Sequence, residues 1–112
     1  MVVEASPSSV TLRASAISDG GLLSIIGIAF GNTGFPFLNG VVPLDPDVLF
    51  MASTNLPGFV GVLPSEGYRS LTLSLPNPNP LAGLPAFAAH IVMNLAVPSF
   101  GALSTAAPFV FQ

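Results

Sequence analysis

The chain has 112 residues, 51% of them apolar, and its seven charged residues are five acids and two arginines. A typical soluble domain is about 25% charged, and a domain of this length buries only about 60 to 70% of its unfolded surface, so the remaining apolar residues must face solvent, lipid or other protein. Two arginines cannot neutralise the phosphates that drive nucleic-acid binding, and the absence of cysteine excludes disulfides and thiolate chemistry.

The predicted secondary structure is all β. Twelve prolines and eleven glycines leave no window of about 12 residues with helical periodicity. Short β-rich segments between turn residues are typical of sandwiches and barrels. We predict one domain over residues 1–112, a single antiparallel β-sandwich of jelly-roll or immunoglobulin-like type with about eight strands. The predicted strands are Ser9–Ile17, Leu22–Phe30, Gly40–Leu44, Val48–Ala52, Phe59–Leu63, Tyr68–Leu75, Phe87–Val97 and Ala107–Phe111.

Two of these strands alternate between apolar and polar residues. In Ser9–Ile17 the side chains of Val10, Leu12 and Ala14 share one face, and Tyr68–Leu75 alternates leucine with serine and threonine. This period of two is typical of a strand with one face in the core and one in solvent. Both segments are therefore predicted to be half-exposed strands.

Two other segments are apolar on both faces, namely Leu22–Phe30 and Phe87–Val97. Such runs are expected for central strands, or for strands buried against a neighbouring molecule. The first has nine residues, whereas a membrane-spanning helix needs about 20, so no transmembrane helix is predicted. Residues Met1–Glu4 have neither a basic region nor an apolar core, so no secretion signal is visible.

The surplus of apolar residues predicts that the chain associates with itself. Phenylalanines near the C-terminus suit interface anchors, because aromatic side chains are enriched in buried interfaces. Further candidates come from the apolar sides of the first two predicted strands. The predicted subunit-interface residues are Val10, Leu12, Ala14, Ile25, Ile26, Ile28, Phe30, Phe109 and Phe111.

His90 is the single histidine and lies in the middle of a predicted strand. A catalytic base needs a nucleophile and an orienting group beside it. The composition allows a Ser-His-Asp triad, but the sequence contains no Gly-x-Ser-x-Gly nucleophile elbow. We therefore predict a hydrogen-bonded or interface histidine, and no catalytic residues.

Asp45 and Asp47 flank one proline and are the candidates for a metal site. Two carboxylates at this spacing suit calcium if carbonyl groups complete the shell of about 6 to 8 oxygens. The full Asp-x-Asp-x-Asp-Gly loop is missing, and Asp and Pro are common in turns for local reasons. The segment is predicted to be a turn, and no metal or cofactor is predicted.

The two cations, Arg13 and Arg69, both lie in predicted strands. Each has Glu4 and Glu66 as candidate partners across strands or subunits. Arg69 shares its face with the leucines of its strand, so we predict a partly buried arginine with partners. Tyr68 is the one aromatic residue suited to stacking on a sugar, although tyrosine in a strand is commonly a packing residue.

Residues 21–111 contain short motifs in a recognisable order. They are Leu22–Gly27, Val42–Leu44, Gly67–Leu73, Leu75-Pro76, Leu81–Leu84 and Leu103–Ala106. This order resembles a small C-terminal β-sandwich domain that recurs in large secreted proteins of planctomycetes and related bacteria. His90 stands where that family usually has a glutamine, and Phe100–Ala107 would match its closing strand. The resemblance implies an extracellular, structural or attachment role without catalytic residues.

Residues 1–18 lie outside this resemblance and are predicted to form an N-terminal strand. We expect this strand to be exchanged with a neighbouring subunit, because strand addition between copies gives head-to-tail filaments. The sequence thus predicts a structural subunit of an extracellular filament or surface assembly. The alternative is a monomeric extracellular module that binds glycan or cell-wall polymer, assisted by calcium.

Overall fold

The computed structural model describes residues 1–38, 40–76, 78–94, 96 and 99–112. Within them the chain is all β, as the sequence predicts, with ten strands, one α-helix and one 3₁₀ turn at Ile17–Asp19. The strands are β1 (Val2–Ser6), β2 (Ser9–Ser15), β3 (Leu23–Ala29), β4 (Phe35–Phe37), β5 (Gly40–Val42), β6 (Val60–Val62), β7 (Tyr68–Ser74), β8 (Pro85–Asn94), β9 (Ser99–Leu103) and β10 (Ala107–Val110); the helix is α1 (Val48–Thr54).

The strands form two main antiparallel sheets. Sheet A has the order β1-β2-β7. Sheet B has the order β10-β8-β3-β6, and β9 also pairs with β8. The remaining two strands, β4 and β5, form a separate hairpin.

Sheets A and B pack face to face over the main core. From β2, the side chains of Val10, Leu12 and Ala14 are at most 2% exposed, and they share one cluster with Ile26 and Ile28 of β3. The alternation predicted for Ser9–Ile17 and Tyr68–Leu75 is confirmed, because the leucines of β7 pack against this cluster while the intervening residues are exposed. Two facing sheets with alternating side chains form the sandwich layer of the fold.

The other face of sheet B is covered by a third layer, which the predicted single sandwich did not include. Val42 and Leu44, in and just after the β4–β5 hairpin, pack against Ala29 and Ile91 of the sheet. Phe50 of α1 packs on the same cluster and lies against Gly27, where a Cβ atom would approach its ring to 2.8 Å. The surplus hydrophobicity of β3 and β8 is therefore covered by the chain itself.

The prediction of a strand at Val48–Ala52 is wrong, because these residues lie in α1. Asp47 is the N-cap, and its side chain accepts a hydrogen bond from the Phe50 N–H. A short apolar run has no periodicity that separates a buried helix from a buried strand, and the capping aspartate decides for the helix. The described part of the chain contains no helix that is both long and apolar enough to cross a membrane.

Candidate functional site

A buried polar cluster lies between sheets A and B. The Oγ of Ser24, on β3, lies 2.7 Å from Nε2 of His90, on β8. Arg69 reaches across from β7 and donates from Nη1 to Ser24 Oγ at 2.8 Å and to Ser24 O at 2.9 Å. A further guanidinium nitrogen of Arg69 donates to Gly58 O. The cluster therefore ties the two sheets together.

The donors of this cluster fix its protonation. Arginine can only donate, so Ser24 Oγ accepts from Arg69. Among the described contacts, the acceptor for the hydroxyl hydrogen of Ser24 is His90 Nε2. Accepting this hydrogen at Nε2 requires the neutral tautomer of His90 with its proton on Nδ1. The pKa of His90 is lowered to about 4, first by burial and then by the positive charges of Arg69 and the N-terminus, against which the charge of Asp19 acts weakly. Burial also lowers the pKa of Arg69.

The Ser24–His90 pair has the spacing of a nucleophile and its base, but both side chains are sealed in. Ser24 is 0% exposed and His90 is 2% exposed, so a substrate has no path to the hydroxyl in this structure. His90 N also donates to Ser104 Oγ at 2.8 Å, and Ser104 N donates to His90 O at 3.0 Å. These contacts match the hydrogen-bonded histidine and the partnered Arg69 that the sequence predicts. Ser24 was missed, although an isolated serine in an apolar run was the available signal.

Asp45 and Asp47 hold a corner of the chain. Asp47 Oδ2 accepts from Phe30 N at 2.9 Å and from Gly31 N at 3.3 Å, while its Oδ1 caps α1. Asp45 Oδ1 accepts from Gly34 N at 3.1 Å. Within the described residues no group of three or more His, Cys, Asp or Glu side chains could hold a metal ion. The geometry thus gives these carboxylates the turn role, with backbone N–H groups as their partners.

Most of the predicted interface residues lie inside the chain. Six are buried in its own core, two are partly buried, and Phe30 is exposed, at 37%. The six buried positions are not on the surface of the chain, because the alternation that marks an interface also marks a core face. The choice of interface residues itself stays a prediction. The six buried residues are Val10, Leu12, Ala14, Ile26, Ile28 and Phe111, and the two partly buried ones are Ile25 and Phe109.

Residues 1–18 pair within their own chain. They form the β1–β2 hairpin, and β2 occupies the centre of sheet A, where Ser9 to Ser15 pair with Ser74 to Tyr68 of β7. An exchanged strand would make the same pairing with a neighbour, so the exchange remains a prediction. Residues 1–18 therefore supply the central strand of sheet A.

The free edge of sheet A is β7, whose second side has no partner strand among the described residues. Leu75 N donates to Ser8 O at 2.8 Å, and Gly67 O accepts from Ala16 N at 2.6 Å. Hydrogen bonding alternates along an antiparallel pair, so the odd-numbered residues of β7 bond to β2. The even-numbered residues, between Tyr68 and Ser74, direct their N–H and C=O groups to the free edge.

The outer face of sheet A is rich in hydroxyl groups. Thr11 and Thr72 lie opposite each other, with their hydroxyl oxygens 3.3 Å apart. Arg13 forms a surface ion pair with Glu4, as the sequence allows, and this contact raises the pKa of Arg13. Tyr68 lies on the same face and is 49% exposed. Apart from the exposed Val2 of β1, the described side chains of this face are polar, and the charged ones form one pair.

Comparisons with known proteins do not assign the chain to a family. No protein-family model matches it, and no curated protein or solved structure gives a significant match. The candidate site is therefore chosen from the structure alone. It is the free edge of β7 together with the polar outer face of sheet A.

Proposed function

We propose that the chain is a structural subunit that associates with copies of itself through the free edge of β7, in an extracellular filament or surface assembly. The observation that carries this proposal is the edge of the seven-residue strand Tyr68–Ser74, which pairs with no further strand in the part of the chain that the structure describes. Long edge strands without an outward-facing charge are sites of pairing between chains, which soluble proteins usually block with charges, prolines or bulges. The extracellular location rests on the resemblance of residues 21–111 to secreted bacterial domains.

The charges of the chain leave this edge unprotected. Arg69, the one charged residue of β7, points inward and already has three acceptors in Ser24 and Gly58. Arg13 and Glu4 neutralise each other on the outer face. A strand added along Tyr68–Ser74 would therefore meet backbone groups and hydroxyls, and β7 itself brings no unpaired charge to bury.

Sheet A also has a second outer strand, β1, on the opposite side of β2. A contact between β7 of one copy and β1 of the next is heterologous and produces an open filament when the rotation does not close. Both strands are antiparallel to β2, so copies related by translation would pair them in parallel. A contact between two β7 edges would instead give a closed dimer.

The test is a proline at Thr72. Its N–H points to the free edge, so Thr72→Pro removes no hydrogen bond to β2, and proline is tolerated at sheet edges. Thr72→Val is the matched control, because it loses the same hydroxyl contact but keeps the N–H. Light scattering and electron microscopy should show polymers for the wild type and Thr72→Val, and a folded 11.4 kDa monomer for Thr72→Pro. A monomeric wild type, or equal polymers for all three proteins, would overturn the proposal.

A second function, recognition of glycan or cell-wall polymer, is favoured by the exposed Tyr68. The ring stands on a hydroxyl-rich face beside Arg13, whose pKa it helps to raise. Calcium has no part in this version, because backbone groups already hold Asp45 and Asp47. Sedimentation with insoluble polysaccharides tests it: Tyr68→Ala should lose binding while Tyr68→Phe retains it. Equal binding by all variants, or none by the wild type, would reject it.

A further inference from the structure

The third layer does not fill all the space above sheet B. A cavity of about 200 Å³ remains between the β4–β5 hairpin, α1 and the face of β3 and β8. Its walls include Phe35 and Phe37 from the hairpin, Phe50 from the helix and Phe100 from β9. The cavity is partly open to solvent, so it has a mouth and is not an enclosed void.

The chemistry of the walls is uniform. All eight lining residues are apolar, and Ile25, Ile91 and Met93 supply the sheet side. Water needs about two to four polar partners to occupy a cavity, and a dry apolar cavity of about 150 Å³ binds benzene in another protein. The cavity therefore suits a hydrocarbon group and offers nothing to a charge.

Two ring pairs shape the cavity. Phe35 and Phe50 pack edge to face with centroids 6.0 Å apart, and the rings of Phe37 and Phe100 lie 6.2 Å apart at 51°. Phe37 lines the cavity and is also 46% exposed, so it lies at the mouth. The hairpin sits close to Phe100, since a Cβ atom on Gly40 would approach that ring to 2.8 Å.

We propose that this cavity is a binding site for a small uncharged hydrocarbon group, an aromatic ring or the end of a short acyl chain. Its volume is below the about 300 to 1,000 Å³ of sites for larger ligands, which limits the buried part to about one substituted ring. The inference is independent of β7 and of self-association, because the cavity lies on the opposite face of sheet B from sheet A.

The test uses three probes and the methyl resonance of Met93, which lines the cavity. Toluene, octanoate and benzoate are titrated into the whole chain labelled with ¹³C at the methionine methyl groups. Saturable shifts of the Met93 resonance with toluene or octanoate support the site. Stronger binding of toluene indicates a free aromatic ligand, and stronger binding of octanoate indicates an acyl tail. Benzoate should bind at least about tenfold more weakly than toluene, because its carboxylate would be buried without a partner.

Two adjacent residues of the hairpin give a matched pair of variants. Val42 is 3% exposed and lines the cavity, while Val41 is 57% exposed. Val42→Phe should fill the cavity and weaken the binding of the favoured probe at least about tenfold, and Val41→Phe should bind as the wild type does. If Val42→Phe fails to fold, Ile25→Phe fills the same space from β3. No saturable shift in the wild type, equal binding of benzoate and toluene, or unchanged binding in a folded filled variant would overturn the proposal.

Discussion

Ser24 Oγ lies 2.7 Å from His90 Nε2 and accepts a hydrogen bond from Arg69, so a single hydroxyl joins β3, β8 and β7. The hydroxyl uses its hydrogen for His90 and a lone pair for Arg69. Each of the three side chains depends on its hydrogen-bond partner, because a buried polar group without a partner costs about 1 to 3 kcal/mol. The cluster is therefore a structural connection between the two sheets, made by Arg69 of sheet A and Ser24 of sheet B.

The first prediction concerns pH. The pKa of His90 is about 4 in the folded chain, against 6.5 for an ordinary histidine, so the unfolded state binds the proton first as pH falls. Stability is fully present above pH 6.5 and falls between that value and about 4, by up to about 3 kcal/mol. Urea unfolding at several pH values should show this slope. In His90→Gln the slope across the window should shrink, and an unchanged slope would contradict the prediction.

The second prediction concerns Arg69. Arg69→Met leaves the carbonyl oxygens of Ser24 and Gly58 without these donors, and we expect a loss of about 1 to 3 kcal/mol in the free energy of unfolding. Arg13→Met serves as the control, because it removes a cation from the surface of the same sheet and should leave the urea midpoint nearly unchanged. Equal midpoints for the two variants would show that the cross-sheet contacts contribute nothing.

The third prediction concerns the corner held by Asp47. Asp47→Ala removes the cap of α1 and the acceptor for Phe30 N and Gly31 N, so we expect destabilisation of about 1 to 2 kcal/mol. Asp47→Asn keeps one oxygen acceptor and should lose less. Thermal unfolding of the wild type and the two variants should give the highest melting temperature for the wild type and the lowest for Asp47→Ala. If calcium binding were the role of Asp47, added calcium would raise the wild-type melting temperature, and we expect no such rise.

The fourth prediction concerns Ser53, which lies in α1 and is 2% exposed. Its Oγ accepts from Ile28 N at 3.1 Å and donates to Phe50 O at 3.0 Å. Ser53→Ala leaves the buried N–H of Ile28 without that acceptor and should cost about 1 to 3 kcal/mol. Hydrogen exchange at Ile28 should accelerate in this variant. In Thr54→Ala, which changes the neighbouring and less buried hydroxyl, the exchange rate at Ile28 should stay at its wild-type value.

The strands were predictable where the side chains have a clear period or a clear boundary. Alternation located β2 and β7, and apolar runs located β3 and β8, with β8 ending at Asn94; Leu95 and Val97 of the predicted strand lie outside the described residues. The sequence signal was weaker for β1, β4 and β9. Val2–Ser6 falls within the single N-terminal strand predicted for residues 1–18. Phe35–Phe37 has three residues, which are too few to show a period.

The candidate site was harder to predict than the strands. Which strand has a free edge depends on the order of the strands in the sheet. In sheet A this order places β7 beside β2, although the two strands are far apart in the sequence. The period of two shows which face of a strand is apolar. It does not show whether the residues that pack on this face come from the same chain or from another one. Leu22–Phe30 left both possibilities open, and the hairpin and α1 supply the cover. The cavity arises from the packing of that third layer, which no single segment encodes.

The register of sheet A also affects how the chain behaves during synthesis. Thr11 and Thr72 face each other although they are 61 residues apart in sequence. A chain made from its N-terminus completes β2 well before β7 leaves the ribosome, and domains fold as units only when all their strands are present. During that interval β2 has an open side of its own. Two nascent copies on one messenger RNA would thus have a chance to pair before either has closed its sheet.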